Sequence, residues 1–252
     1  EKYRDFVPMK TICLNMIVKN EAAVLSRCLS SVKPLIDYWV IADTGSSDGT
    51  KECILQALAG VPGIFLERPW VDFSHNRNEA LEASKGKGDY ILFIDADEEF
   101  QLYSPLSKND LEKDCYFIQA IGKSSEFLKT FLIRNDGSWH WRGVLHELIV
   151  SSKEESSREF FRLGLLIYGE ELGYRSRNPN KYLNDALTLE EALLLEPDNS
   201  RYAFYLAQSY VHAREWEKAL FWYEKRAKME GDAEEVFWSL YCIACLYDDL
   251  KR

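Results

Sequence analysis

Residues Asp89 to Phe100 read DYILFIDADEEF, an apolar strand-like run from Tyr90 to Ile94 that ends in four carboxylates within five residues. On an extended chain, positions 95 and 97 project to the same side. Two carboxylates held that way repel each other, the more so the lower the local dielectric. A divalent cation is the natural remedy. Hard oxygen ligands suit Mg²⁺ or Mn²⁺, both of which usually keep coordination positions free for phosphate oxygens.

Working outward, Thr11 to Val18 (TICLNMIV) carries a strand signal, followed by Lys19-Asn20-Glu21 and a helical pattern over Ala22 to Val32. Asp37 to Ala42 (DYWVIA) reads as a second strand and runs into Asp43-Thr44-Gly45-Ser46-Ser47-Asp48-Gly49-Thr50, after which Lys51 to Ala59 is helical. A short strand at Gly63 to Glu67 and a helix at Ser74 to Ser84 precede the acidic segment. Strands alternating with helices predict a largely parallel sheet with right-handed crossovers. Ligands of such sheets bind at the carboxyl ends of the strands, where both acidic loops fall. Asp48 has two readings, a brace for its own loop or the N-cap of the following helix.

Beyond Phe100 the pattern changes. Asp114 to Gly122 and Leu128 to Asn135 read as strands joined without long helices, so the second half is expected to be mixed or antiparallel. Trp139 to Ile149 (WHWRGVLHELI) follows, then the polar Ser151 to Glu159 and a last strand near Phe161 to Tyr168. From about Asn178 the chain reads as helical. Pro197 and Gly231 lie 34 residues apart, and the same offset relates Tyr182 to Trp216, Phe204 to Trp238 and Leu206 to Leu240. A period of 34 is the tetratricopeptide signature. Leu206, Ala207, Tyr210, Trp216, Ala219 and Tyr223 fill its large and small positions, whereas Arg226 stands where a small residue is usual. The last helix presents Val236, Leu240, Ile243, Ala244 and Tyr247 as an apolar face without its usual partner. The expected division is a catalytic domain over residues 1–172 and a helical domain over 173–252, the latter reading as truncated.

Composition narrows the function. At 252 residues and 46% apolar, the chain has ample material for a buried core. A net charge of −10 speaks against a general nucleic-acid surface, which needs clustered Lys and Arg. No run of about 18 apolar residues occurs and the first ten residues lack a signal-peptide core, so a cytoplasmic chain without a transmembrane segment is expected. Six scattered cysteines do not form a disulfide framework. Cys242 and Cys245 have CxxC spacing without a second ligand pair and are expected to be buried thiols rather than a zinc site.

Four motifs occur in order: NMIVKNE at Asn15 to Glu21, IADTGSSDGT at Ile41 to Thr50, NRNEAL at Asn76 to Leu81 and FIDADEEF at Phe93 to Phe100. Over roughly Thr11 to Tyr168 the chain resembles the nucleotide-sugar-dependent glycosyltransferases of family 2. The resemblance implies an α/β fold, a Rossmann-like GT-A mixed sheet, followed here by the all-α tetratricopeptide-like tail. It implies a metal-dependent, inverting transfer of a sugar from a nucleotide sugar, in particular a UDP-sugar, to a peptide, protein or glycan acceptor that the tail could hold. It places Val18, Asn20, Glu21, Asp43, Gly45, Ser46, Asn76, Arg77, Asp95 and Ala96 at the donor, with Asp43 on the nucleoside and Arg77 either facing the diphosphate or merely a surface or loop-bracing arginine. Asp97 is the implied direct ligand of Mn²⁺ or Mg²⁺, with Asp95 beside it. Of Glu98 and Glu99, one is expected toward the acceptor and the other toward solvent.

Inverting transfer also needs a base within hydrogen-bond reach of the acceptor. WHWRGVLHELI resembles a Trp, Gly, His-Glu motif of a bacterial branch of the family. Glu147 is the candidate base, with His146 second or as a phosphate or metal contact. A histidine that related enzymes place near the end of the catalytic domain is missing around Leu166 to Gly169. Two rivals remain, a nucleotidyltransferase and a tetratricopeptide interaction protein with an inactive transferase domain. The first would normally show a Gly-rich basic loop after its first strand, which NMIVKNEA is not.

Overall fold

The computed structural model describes residues 9–123, 125–168 and 173–249. They divide into two compact units. One runs to Arg142 and resumes over Leu148–Ser176; the other joins Gly143–Glu147 to the residues from Arg177 onward.

In the first unit, β1 (Ile12–Val18), α1 (Ala22–Val32), β2 (Tyr38–Asp43), α2 (Thr50–Ala57), β3 (Gly63–Glu67), α3 (Phe73–Ala83) and β4 (Tyr90–Phe93) alternate along the chain. Their strands pair in parallel in the order β3-β2-β1-β4. β1 is covered on both faces, which is why all its residues but the buried Asn15 are apolar. Within β4 the residues alternate between two cores. Tyr90 and Leu92 join the cluster that also buries Val24, Leu25, Leu29 and Val32 of α1, while Ile91 and Phe93 pack with Leu81, Ile133 and Trp139. The α1 residues recur every three to four positions and form one buried stripe. Gly63 is required at the start of β3, because a Cβ there would lie 2.1 Å from the Trp39 ring.

The sheet continues through β5 (Glu98–Leu102), β6 (Cys115–Ile121), β7 (Glu126–Arg134), β10 (Arg158–Phe160) and β11 (Gly164–Tyr168). β7 pairs antiparallel with both β4 and β6, β5 pairs antiparallel with β11, and β10 and β11 run parallel to β6. The sheet is therefore mixed. β8 (Trp139–Arg142) and β9 (Leu148–Ser151) form a separate antiparallel pair, and the polar segment expected as a loop ends in β10.

One expectation is corrected at the acidic segment. β4 stops at Phe93, and Asp95 to Glu98 form a tight turn closed by a 3.0 Å bond from the Glu98 amide to the Asp95 carbonyl. Asp95 and Asp97 are therefore not related by strand alternation; the turn sets their directions.

The second unit holds α4 (Lys181–Leu195), α5 (Ser200–His212), α6 (Trp216–Arg226) and α7 (Ala233–Asp249), each packed on the next. Ala203, Ala207 and Ala219 are wholly buried and let the helices approach closely. α6 and α7 repeat α4 and α5 at the spacing read from the sequence. Trp216, however, is 38% exposed, and Leu240, Ala244 and Tyr247 of α7 lie open. Cys242 is half-buried and Cys245 exposed, which corrects the expected buried pair. Both lie on a helix that buries only a narrow stripe, including Ser239 and Leu246. No described helix is long and apolar enough to cross a membrane.

Candidate active site

The carboxyl ends of β1 and β2 are tied together by their own loops. Thr44 donates to the Val18 carbonyl through both its amide (2.9 Å) and its hydroxyl (3.1 Å). Asn20, at φ 56°, donates its amide to the Ser46 hydroxyl at 2.8 Å, and its side-chain oxygen accepts from the Ser47 amide at 2.7 Å. Glu21 donates its amide to Thr50 Oγ1, and its carboxylate accepts from the Tyr174 amide at 3.2 Å. Gly49, not Asp48, is the N-cap of α2 and no side chain caps it, so Asp48 acts as a brace. It accepts from the Thr50 amide at the start of α2 and from the Ala22 amide at the start of α1, and so braces both helix N-termini.

Asp43 is buried at the tip of β2, and its Oδ1 accepts from the Gly45 and Ser46 amides at 2.8 and 2.7 Å. Gly45 has φ +103°, a conformation L side chains rarely adopt, and open space lies where its Cβ would be. The backbone is bare there. Asp43, Gly45, Ser46, Arg68 and Pro69 line part of a cleft of about 620 Å³. Asn76 lies behind this cleft rather than in it. It is wholly buried, donating to the Pro69 carbonyl and Glu79 and accepting from the Val71 amide, so it braces the loop that carries Arg68.

At the acidic turn, both oxygens of Asp95 already meet cations. Arg77 Nη2 is 2.9 Å from Oδ1, and Lys129 Nζ is 2.8 Å from Oδ2. Lys129 also lies 2.8 and 2.9 Å from the two oxygens of Glu98, which is buried and accepts the Asp95 amide. Repulsion at this strand end is thus relieved by the protein's own lysine and arginine, which corrects the reading that it calls for a metal outright. Glu98 is part of this buried brace, not an acceptor contact, and Glu99 pairs with Arg27 at 3.4 Å. Burial works to lower the Lys129 ammonium, yet Asp95 and Glu98 outweigh it and hold the lysine charged. Burial likewise works to raise Asp95, but Lys129 and Arg77 bring it below the ordinary carboxylate range. Arg77 is fixed further by the Trp141 ring, 4.8 Å from its guanidinium, and is a paired internal cation rather than a surface residue.

Asp97 differs. Among the described residues no cation pairs with its carboxylate, and burial followed by the charge of Asp95 raises it above its usual range. Arg27 reaches only its carbonyl oxygen, at 3.2 Å. Ala96 between the two aspartates points into the core. An unpaired, partly buried carboxylate fits a divalent cation. No group of three or more His, Cys, Asp or Glu ligands converges among the described residues, so a cation here would complete its shell from water and ligand oxygens.

His146 and Glu147 belong to the second unit. They sit in the turn Gly143–Glu147, His146 at φ 52°, with its ring stacked on Tyr205 of α5 at 3.8 Å between centroids. Lys129 was the member of the site without a motif. Its only signal is a lone charge inside the run FLKTFLI, which is apolar but for Lys129 and Thr130.

Fold and loops define an α/β protein whose candidate ligand face is the carboxyl edge of β1, β2 and β4. The model of the family described as Glycosyl transferase family 2 matches residues 13–158, more than half of the chain, and the chain belongs to that family. A TPR repeat-containing protein of Synechococcus elongatus is 44% identical over 95 residues, 37% of this chain and 22% of that protein. The SPbeta prophage-derived glycosyltransferase SunS of Bacillus subtilis is 28% identical over 214 residues, 79% of this chain and 49% of that one. This chain thus spans at most about half the length of either. Among solved structures, S. aureus TarS 1-349 is similar with a TM-score of 0.47 and 12% identity, covering 94% of this chain and 89% of that one.

Proposed function

We propose that the protein is a metal-dependent inverting glycosyltransferase that takes a sugar from a UDP-sugar and passes it to a peptide, protein or glycan acceptor. The observation that carries this reading is the division of charge at the acidic turn. Asp95 is neutralised from within by Arg77 and Lys129, whereas Asp97, two residues on, lacks a cationic partner among the described residues.

Each part of the site has a task in such a transfer. Asp43 and the bare Gly45 backbone line the cleft that takes the nucleoside. Arg77 and Lys129 hold the turn so that Asp97 faces the diphosphate. A divalent cation at Asp97 would supply positive charge to the departing nucleoside diphosphate. Glu147, or His146 beside it, takes the acceptor's proton as the acceptor atom bonds to the anomeric carbon from the face opposite the leaving group. The bond from that carbon to the diphosphate oxygen breaks, and the oxygen leaves with the electron pair.

A panel of UDP-sugars incubated with the purified protein and Mn²⁺ tests this. Slow release of UDP from one member of the panel is expected, and none from any member under any divalent metal would refute the reading.

A further inference from the structure

Arg226 breaks the repeat pattern, standing where a small residue is usual, and its side chain is wholly buried. A guanidinium in such a place needs full compensation. It donates to the Met229 and Asp232 carbonyls at 3.2 and 3.0 Å and pairs with Glu235 of α7 at 3.1 Å. Glu235 turns its other oxygen to Arg201 of α5, at 3.2 Å. Arg201 in turn donates through Nε and Nη2 to the carbonyl of His146, at 3.2 and 3.1 Å, while its guanidinium lies 4.7 Å from the Tyr205 ring. The His146 ring is itself stacked on Tyr205, within 9° of parallel. Tyr202, one turn earlier, accepts the Val144 amide at 3.1 Å.

A chain of charge thus runs from the interior of the repeat to one short turn, which it holds by side chain, carbonyl and amide at once. The turn needs holding. His146 occupies positive φ, a region costly for a residue with a Cβ, and such conformations persist only where the surroundings enforce them.

We propose that α5, through Arg201 and Tyr205, is a positioning element of the transferase, fixing the Gly143–Glu147 turn in the conformation that presents His146 and Glu147. This rests on the reading of that pair as the source of the base.

The test uses the full chain with Arg201→Ala, Arg201→Lys, Tyr205→Ala and Tyr205→Phe, beside Glu147→Gln and His146→Ala. Three quantities are read: kcat and donor KM for the UDP-sugar turned over, and amide hydrogen exchange across residues 143–147. Because misplacing a catalytic group by about 1 Å can cost on the order of 100-fold, Arg201→Ala and Tyr205→Ala are expected to lose at least about tenfold in kcat. Donor KM should stay within about twofold, as for loss of an interaction that acts on the chemical step. Exchange at 143–147 should accelerate in both. Tyr205→Phe keeps the stacked ring and should retain most of kcat, and Arg201→Lys should recover part of it. If Glu147→Gln or His146→Ala is inactive while Arg201→Ala and Tyr205→Ala keep both kcat and slow exchange, the clamp is refuted. If Glu147→Gln and His146→Ala are both fully active, the assignment of the base fails and the proposal falls with it.

Discussion

Asp95, in the turn that follows β4, meets Lys129 of the neighbouring strand β7. β4 pairs with β7 as far as Leu92 with Leu132, and past the end of that pairing the Lys129 ammonium lies 2.8 Å from Asp95 Oδ2. An internal cation is thereby built into the acidic strand end, and Glu98 shares it.

Lys129→Met should destabilise the fold by about 3 kcal/mol at neutral pH, because it strands the buried Glu98 carboxylate without a counter-charge. The pH dependence has a definite sign. Burial raises Glu98 above its ordinary value even with Lys129 opposing it. A carboxyl raised in the folded state binds its proton more tightly there, so its contribution is present at low pH and lost as pH rises through the folded pKa. Removing Lys129 raises it further. The gap between wild type and variant in urea unfolding should therefore be widest at neutral pH and narrow toward pH 4, and a gap that widens in acid would contradict the pairing.

Gly45→Ala places a Cβ on a residue at φ +103° and into the open space beside Asp43. Strain of about 1 kcal/mol is expected in stability. Nucleotide binding should weaken more than stability does. Calorimetric titration with UDP, set beside a thermal melt, separates the two effects.

The cysteines divide by burial. Burial pushes Cys13 and Cys115 up to about 11, so at pH 8 their thiols are both protonated and enclosed. Cys245 is exposed. Alkylation of the native protein at pH 8 followed by peptide mapping should label Cys245 and leave Cys13 and Cys115 unmodified until denaturant is added.

Much of this was legible in the sequence because local pattern and tertiary role agree. The run of β1, apolar but for Asn15, announces a strand covered on both faces, and the alternation of strands with α1, α2 and α3 announces parallel pairing. The strand-end loops were legible for the same reason, since Asp43 and Gly45 lie two residues apart in sequence and are bonded in space. Lys129 and Arg226 were not. Lys129 acquires its role through the pairing of β7 with β4, a relation across 34 residues that no local periodicity encodes. Arg226 looked like a flaw in a repeat until Glu235 and Arg201 stood beside it. The turn at Asp95 to Glu98 is not legible as a turn, because the apolar signal of β4 gives no sign that the strand stops at Phe93.

Asp97 remains the residue on which the proposed chemistry turns. Asp97→Ala should lower Mn²⁺-dependent turnover of the donor by at least about 100-fold, as for loss of an essential charge-stabilising group. The more direct measurement is binding: calorimetric titration of UDP into wild type and Asp97→Ala, each with Mn²⁺ and with EDTA. Wild type is expected to bind UDP at least about tenfold more tightly with Mn²⁺ than with EDTA, whereas in Asp97→Ala the two affinities should coincide near the wild-type EDTA value. An Asp97→Ala protein that still binds UDP with the full Mn²⁺ enhancement would contradict the assignment of Asp97 as the metal ligand.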